Sequence, residues 1–214
     1  MEERFKEIRC YDFRKENREY APHLAEENSR IVEGYAIVFN QQSRMLYDKA
    51  SRKTFTEIID PRSITKAFLD EQDIKMLFNH SNDKLLARST YGAGTLSYEV
   101  DEYGVKFRFE MPNTTTGNDL LEMIRRGDVT GCSFAFSYAT DGVRDERRNN
   151  KNYRTVIRMA SVDDFSIVVD PAYLGTYTCT REFSAPDEER ENRSSELDVD
   201  KAMLDLEMFE IENL

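Results

Sequence analysis

The sequence predicts an α+β domain, built mainly of antiparallel strands curled into a barrel with peripheral helices. Three observations lead there. β-Branched and aromatic runs recur from Ile31 onward, these runs neighbour one another in sequence, and only two stretches carry helical signals. Strands adjacent along the chain favour antiparallel pairing over a doubly wound parallel sheet.

Residues 1–30 are polar and charged, with scattered apolar positions, and read as an N-terminal arm. From Ile31 the texture changes: IVEGYAIVFN forms a first strand and TFTEIID a second. Asp60-Pro61 supplies an N-cap and a proline at the first helical position, opening a short helix through SITKAFLDE. DIKMLFN reads as a buried strand that delivers Asn79 and His80 at its end.

GTLSYEVDEYGVKFRFEM is a predicted hairpin. Leu96, Tyr98 and Val100 alternate on one arm, Val105, Phe107 and Phe109 on the other, and DEYG turns the chain. TTTGNDLLEMIRRG follows as a helix, with Leu120, Leu121 and Ile124 on one face and Gly127 just past its end. TGCSFAFSYA is a strand with Ser133, Ala135 and Ser137 on one face and Phe134, Phe136 and Tyr138 on the other. TDGVRDERRNNKN is a solvated loop, and YRTVIRMASVDDFSIVVD gives two strands or one long bent one, stopped by Pro171.

The chain has 41 acids and 30 bases, a net charge of −11. Twelve acids and three bases lie in residues 182–214, leaving 29 acids against 27 bases before them. The division is a 1–30 arm, a nearly neutral domain over 31–181, and an acidic 182–214 tail. That tail begins as a linker and ends in VDKAMLDLEMFEIENL, a helix suited to a partner or to the domain itself. A near-neutral domain lacks the basic footprint of a nucleic-acid binder. No apolar run approaches the roughly 18 residues of a membrane span, and the charged N-terminus argues against an export signal. The expected location is the cytoplasm.

Cys10, Cys132 and Cys179 are an odd, widely spaced set, neither a disulfide framework nor a zinc site. No cofactor or metal is expected. Of two histidines, His23 lies in the polar arm and reads as a surface residue; His80 ends an apolar strand, where a rigid element can hold it. Ser133 enters its strand through Gly131-Cys132, without the second glycine of a G-x-S-x-G elbow, since Ala135 stands there. A serine nucleophile needs a base within about 3 Å. Asp163 and Asp164, adjacent on a strand, point to opposite faces, so at most one of them faces His80.

Taken in order, GYAIVFN, FTEIIDPRSITKAF, LFNHSNDKLLAR, the hairpin, IRRGDVTGCSFAF and DDFSIVVDPAY resemble the prohead proteases of tailed phages. The resemblance covers about Ile31 to Tyr177 and implies an assemblin-like antiparallel barrel. It places the family's Asn-His motif on Asn79-His80, its Gly-x-Ser-Phe motif on Gly131–Phe134, and its acid-x-Ser-x-Val segment on Asp164–Val168. The implied catalytic residues are Ser133 as nucleophile, His80 as general base and Asp164 as the orienting acid. This chain has Asp where the family often has Glu, and Ala135 where it often has Gly. Oxyanion donors implied by this chemistry are backbone amides near Ser133 or an arginine such as Arg154 or Arg158.

The implied activity is a maturation endopeptidase that cleaves the scaffold and the capsid protein's scaffolding segment inside the prohead, then itself. Its implied partners are the major capsid protein and the scaffold, and a homo-oligomer is compatible with it. Its place is the assembling prohead in the host cytoplasm. The alternative is a non-catalytic capsid assembly or scaffolding protein on the same fold; a cysteine enzyme using Cys132 is a third reading.

Overall fold

In a computed structural model of the 214-residue chain, the structure describes residues 6–13, 18–27, 29–48 and 51–169. Pro171, Cys179 and the acidic tail lie outside the described residues. The chain order is β1 (Glu7–Asp12), β2 (His23–Leu24), β3 (Ile31–Val38), β4 (Met45–Asp48), β5 (Lys53–Ile59), α1 (Lys66–Asp70), β6 (Asp73–Phe78), β7 (Ser81–Thr90), β8 (Ala93–Gly94), β9 (Leu96–Val100), β10 (Gly104–Glu110), α2 (Thr115–Arg126), β11 (Gly131–Tyr138), β12 (Val143–Arg148), β13 (Lys151–Val156) and β14 (Met159–Val168).

The architecture is predominantly β, in the α+β class. Its strands form three sheets, ordered β1-β11-β14-β6-β7-β8, β2-β3-β10-β9 and β12-β13-β5-β4, and none closes on itself among the described residues. Pairing is antiparallel except in two places, where β14 runs parallel to β6 and β13 parallel to β5. Both exceptions join strands distant in sequence. Phe107, Phe134, Phe136, Phe165 and Ile37 fill one shared core, each essentially without solvent contact.

Local chemistry explains the elements around the site. The Thr114 side chain accepts the Gly117 N–H at 3.1 Å to cap α2, and Gly127 ends it at φ 76°, where a residue without Cβ is least strained. Leu120, Leu121 and Ile124 bury the inner stripe of α2, which then leads through Val129 into β11. The hairpin of β9 and β10 forms as expected, and its register sets Phe107 opposite Tyr98 and Phe109 opposite Leu96.

Several segments differ from the sequence reading. The segment read as an arm contributes β1 to the six-stranded sheet and β2 to a four-stranded one. Phe13 is buried there, and Arg9 is only 6% exposed. The segment read as a solvated loop holds β12, which pairs with β13 around Asn149-Asn150. Both asparagines take positive φ, as a tight hairpin turn requires, so a charged strand looked like a loop. The single helix expected after Asp60 is instead a 3₁₀ turn over Pro61–Ser63, capped by Asp60, and then α1, capped by Thr65.

Candidate active site

Three adjacent strands of the six-stranded sheet, β11, β14 and β6, carry the candidate residues. Antiparallel pairing sets Ser133 of β11 opposite Ser166 of β14, and Ala135 opposite Asp164. Alternation then brings Asp164 and Ser166 to the face that Ser133 occupies. β6 runs parallel to β14, with Phe78 beside Ile167, so the end of β6 reaches this same region.

His80 is delivered by the turn between β6 and β7, which has only two residues, Asn79 and His80. Both lie at positive φ, 52° and 54°. That is the backbone of a tight hairpin turn, which asparagine tolerates and histidine adopts at a cost of order 1–3 kcal/mol. The turn is tied to β14: the Asn79 N–H donates to the Ile167 carbonyl at 3.0 Å, and its side-chain oxygen accepts the Val169 N–H at 3.1 Å. Asn79 thus fastens the histidine to the strand that bears its carboxylate.

His80 Nε2 lies 2.6 Å from Ser133 Oγ, and His80 Nδ1 lies 2.7 Å from Asp164 Oδ1. The Ser166 hydroxyl donates to the same Asp164 oxygen at 2.8 Å and accepts the His80 backbone N–H at 3.2 Å. With Asp164 accepting from Nδ1–H, Nε2 faces the serine. Burial tends to lower the His80 pKa, but Asp164 and the Cys10 side chain outweigh it and push the pKa up to about 9.

Asp163 points elsewhere. Its Oδ1 lies 3.4 Å from the Lys6 ammonium, so of the two adjacent acids Asp164 is the one that meets His80. His23 bonds the Ala21 carbonyl through Nδ1 and sits 3.3 Å from Glu33. Cys132 is fully buried in the core, and burial pushes its thiol well above the ordinary value, which disfavours the thiolate a cysteine enzyme needs. Arg154 donates to both oxygens of Asp145 and stacks on Phe55, and Arg158 donates to the Thr140 carbonyl. Both guanidinium groups are thus engaged by partners other than Ser133. Among the described residues, no cluster of His, Cys, Asp or Glu could hold a metal ion.

Three neighbours escaped the sequence reading, and a fourth, Ser166, was read only as part of the acid-x-Ser-x-Val segment. Ser166 was legible in principle, lying two residues from Asp164 and therefore on its face. Cys10, Arg9 and Glu57 were not, because β1 and β5 reach the region only through tertiary pairing. The Cys10 thiol donates to Ser133 Oγ at 3.0 Å, and Arg9 binds Glu57 through two hydrogen bonds of 2.6 and 3.1 Å.

A serine, a histidine and a carboxylate in hydrogen-bonded series on a rigid sheet are the parts of a serine hydrolase. A family model described as caudovirus prohead serine protease matches residues 16–189. The chain belongs to this family of tailed-phage prohead proteases, which gives it a serine protease role in capsid maturation. No curated protein and no solved structure matches it.

Proposed function

We propose that the chain is a serine endopeptidase that uses Ser133, His80 and Asp164 to cleave the scaffold and the scaffolding segment of the capsid protein. The observation that carries this is the continuous series Ser133 Oγ, His80 and Asp164, with links of 2.6 and 2.7 Å. In the neutral imidazole, Nε2 takes the Ser133 proton as Oγ attacks a peptide carbonyl carbon. The tetrahedral intermediate collapses, His80 returns the proton to the leaving amine, and the C–N bond breaks. Water, deprotonated by His80, then hydrolyses the ester and restores Ser133. Asp164 holds Nδ1–H and stabilises the imidazolium; Ser166 steadies Asp164.

The proposal includes self-cleavage, action inside the assembling prohead, and the assemblin-like barrel implied by the resemblance. Its test is co-expression of the capsid protein and scaffold with wild type or with Ser133→Ala. Wild type should process both, and a folded Ser133→Ala variant neither. Undiminished processing by Ser133→Ala would remove Ser133 from the mechanism. Processing absent from both would favour a non-catalytic assembly protein.

A further inference from the structure

The proposed nucleophile is shut from solvent: Ser133 is 0% exposed, and β1 lies beside it, with the Cys10 thiol on its hydroxyl. β1 is the edge strand of the six-stranded sheet, paired antiparallel with β11 so that Cys10 stands opposite Ser133. The Ser133 hydroxyl lies 3.0 Å from the Arg9 carbonyl oxygen. The nucleophile is thus hydrogen-bonded to a peptide carbonyl supplied by an extended segment of the chain itself. This segment, residues 7–12, precedes the stretch that matches the family, which begins at residue 16.

The Arg9 side chain is held as firmly as its backbone. Its guanidinium binds both oxygens of Glu57, donates to the Tyr138 hydroxyl at 2.7 Å, and lies 5.6 Å from the centre of the Phe136 ring. Glu57 is 2% exposed and lies on β5, while Tyr138 and Phe136 lie on β11. The acid and both rings thus belong to the family-matched part of the chain. If β1 withdraws, Glu57 and the Tyr138 hydroxyl lose the cation that pairs with them. Such a site strongly favours any replacement that brings a cation back.

We propose that the β11 edge is the peptide-binding strand of the enzyme, that β1 is its resident occupant, and that the Glu57–Tyr138 pocket selects arginine or lysine immediately before the scissile bond. This rests on the serine protease reading and adds a substrate class to it. An incoming peptide displaces β1, adds to β11 as an antiparallel strand, and places its basic side chain on Glu57. Its carbonyl then takes the place of the Arg9 carbonyl beside Ser133. Until then β1 keeps the nucleophile covered.

The test uses full-length protein and two readouts. A fluorophosphonate probe measures access to Ser133, and fluorogenic peptides based on Glu-Ile-Arg-Cys-Tyr-Asp measure selection. Arg9→Ala should loosen β1 and label at least tenfold faster than wild type while keeping a cooperative melt. It should cut the arginine peptide at least tenfold better, in kcat/KM, than a peptide with glutamate in the arginine position. Glu57→Gln should erase that preference. A folded Arg9→Ala variant that labels at the wild-type rate overturns the proposal. Should Arg9→Ala fail to fold, the wild-type chain decides alone, and equal kcat/KM for the two peptides overturns it. Labelling without arginine preference defeats this inference and leaves the protease reading intact. No labelling and no cleavage by any form defeats both.

Discussion

His80 brings backbone and side-chain chemistry together. Its left-handed φ aims the imidazole back at β14, where Asp164 raises its proton affinity. A general base works deprotonated, so kcat/KM should climb with pH through the range toward about 9 rather than level off at the ordinary histidine value near 6.5. A pH–rate profile that is flat above pH 7.5 would contradict this. Asp164→Asn keeps the shape but removes the charge, and should lower kcat by up to about 10⁴-fold while leaving measurable activity. Activity equal to wild type would take Asp164 out of the mechanism. Ser166→Ala removes the acceptor of the His80 backbone N–H and one hydrogen bond to a charged acceptor, the latter worth about 1.5–3 kcal/mol, so a loss of at least roughly tenfold in kcat is expected. Substrate KM should change little, because Ser166 touches the triad and not the peptide.

Among the elements, α2 aims β11, and its termination is separable from the chemistry. Gly127 lies at φ 76°, and nothing stands within 4 Å of where a Cβ would be. Gly127→Ala therefore meets no clash and pays only for the left-handed backbone, a loss of about 1 kcal/mol. Chemical denaturation should show that loss with an unchanged m-value, and peptide turnover at full folding should be unaltered. The β6–β7 turn is different in kind. There Asn79 is bonded through its backbone to β14 and through its side chain to Val169 just past it, so an error in the turn is transmitted directly to the triad.

At the scale of the whole molecule, His80 also links stability to pH. Its folded pKa, about 9, lies above the unfolded value of 6.5. Its contribution is fully present below about pH 6.5 and is lost as pH rises through about 9. Wild type should therefore lose more thermal stability than His80→Gln between pH 6.5 and 9.5; equal losses would show that the linkage lies elsewhere. The 182–214 tail is outside the described residues, and one test separates a partner-binding tail from one that serves the domain itself. Deleting it should leave peptide cleavage intact while reducing incorporation into proheads, measured by the protease content of purified particles.

By itself the sequence determined the local features of this protein. Alternation marked the two arms of the β9–β10 hairpin, caps and periodicity set α2, and alternation put Ser133 on the face opposite Phe134 and Phe136. The ordered resemblance pointed to His80, Ser133 and Asp164. Those features were legible because each depends on residues close together along the chain. The tertiary structure alone decided that β6, β14 and β11 lie side by side, with one pairing parallel, and so that the three side chains are within hydrogen-bond reach. It alone brought β1 onto β11 and seated Arg9 on Glu57, residues 48 positions apart. Local propensity cannot encode such contacts: strand pairing across the sheet is chosen by burial of the common core, after the strands themselves are specified.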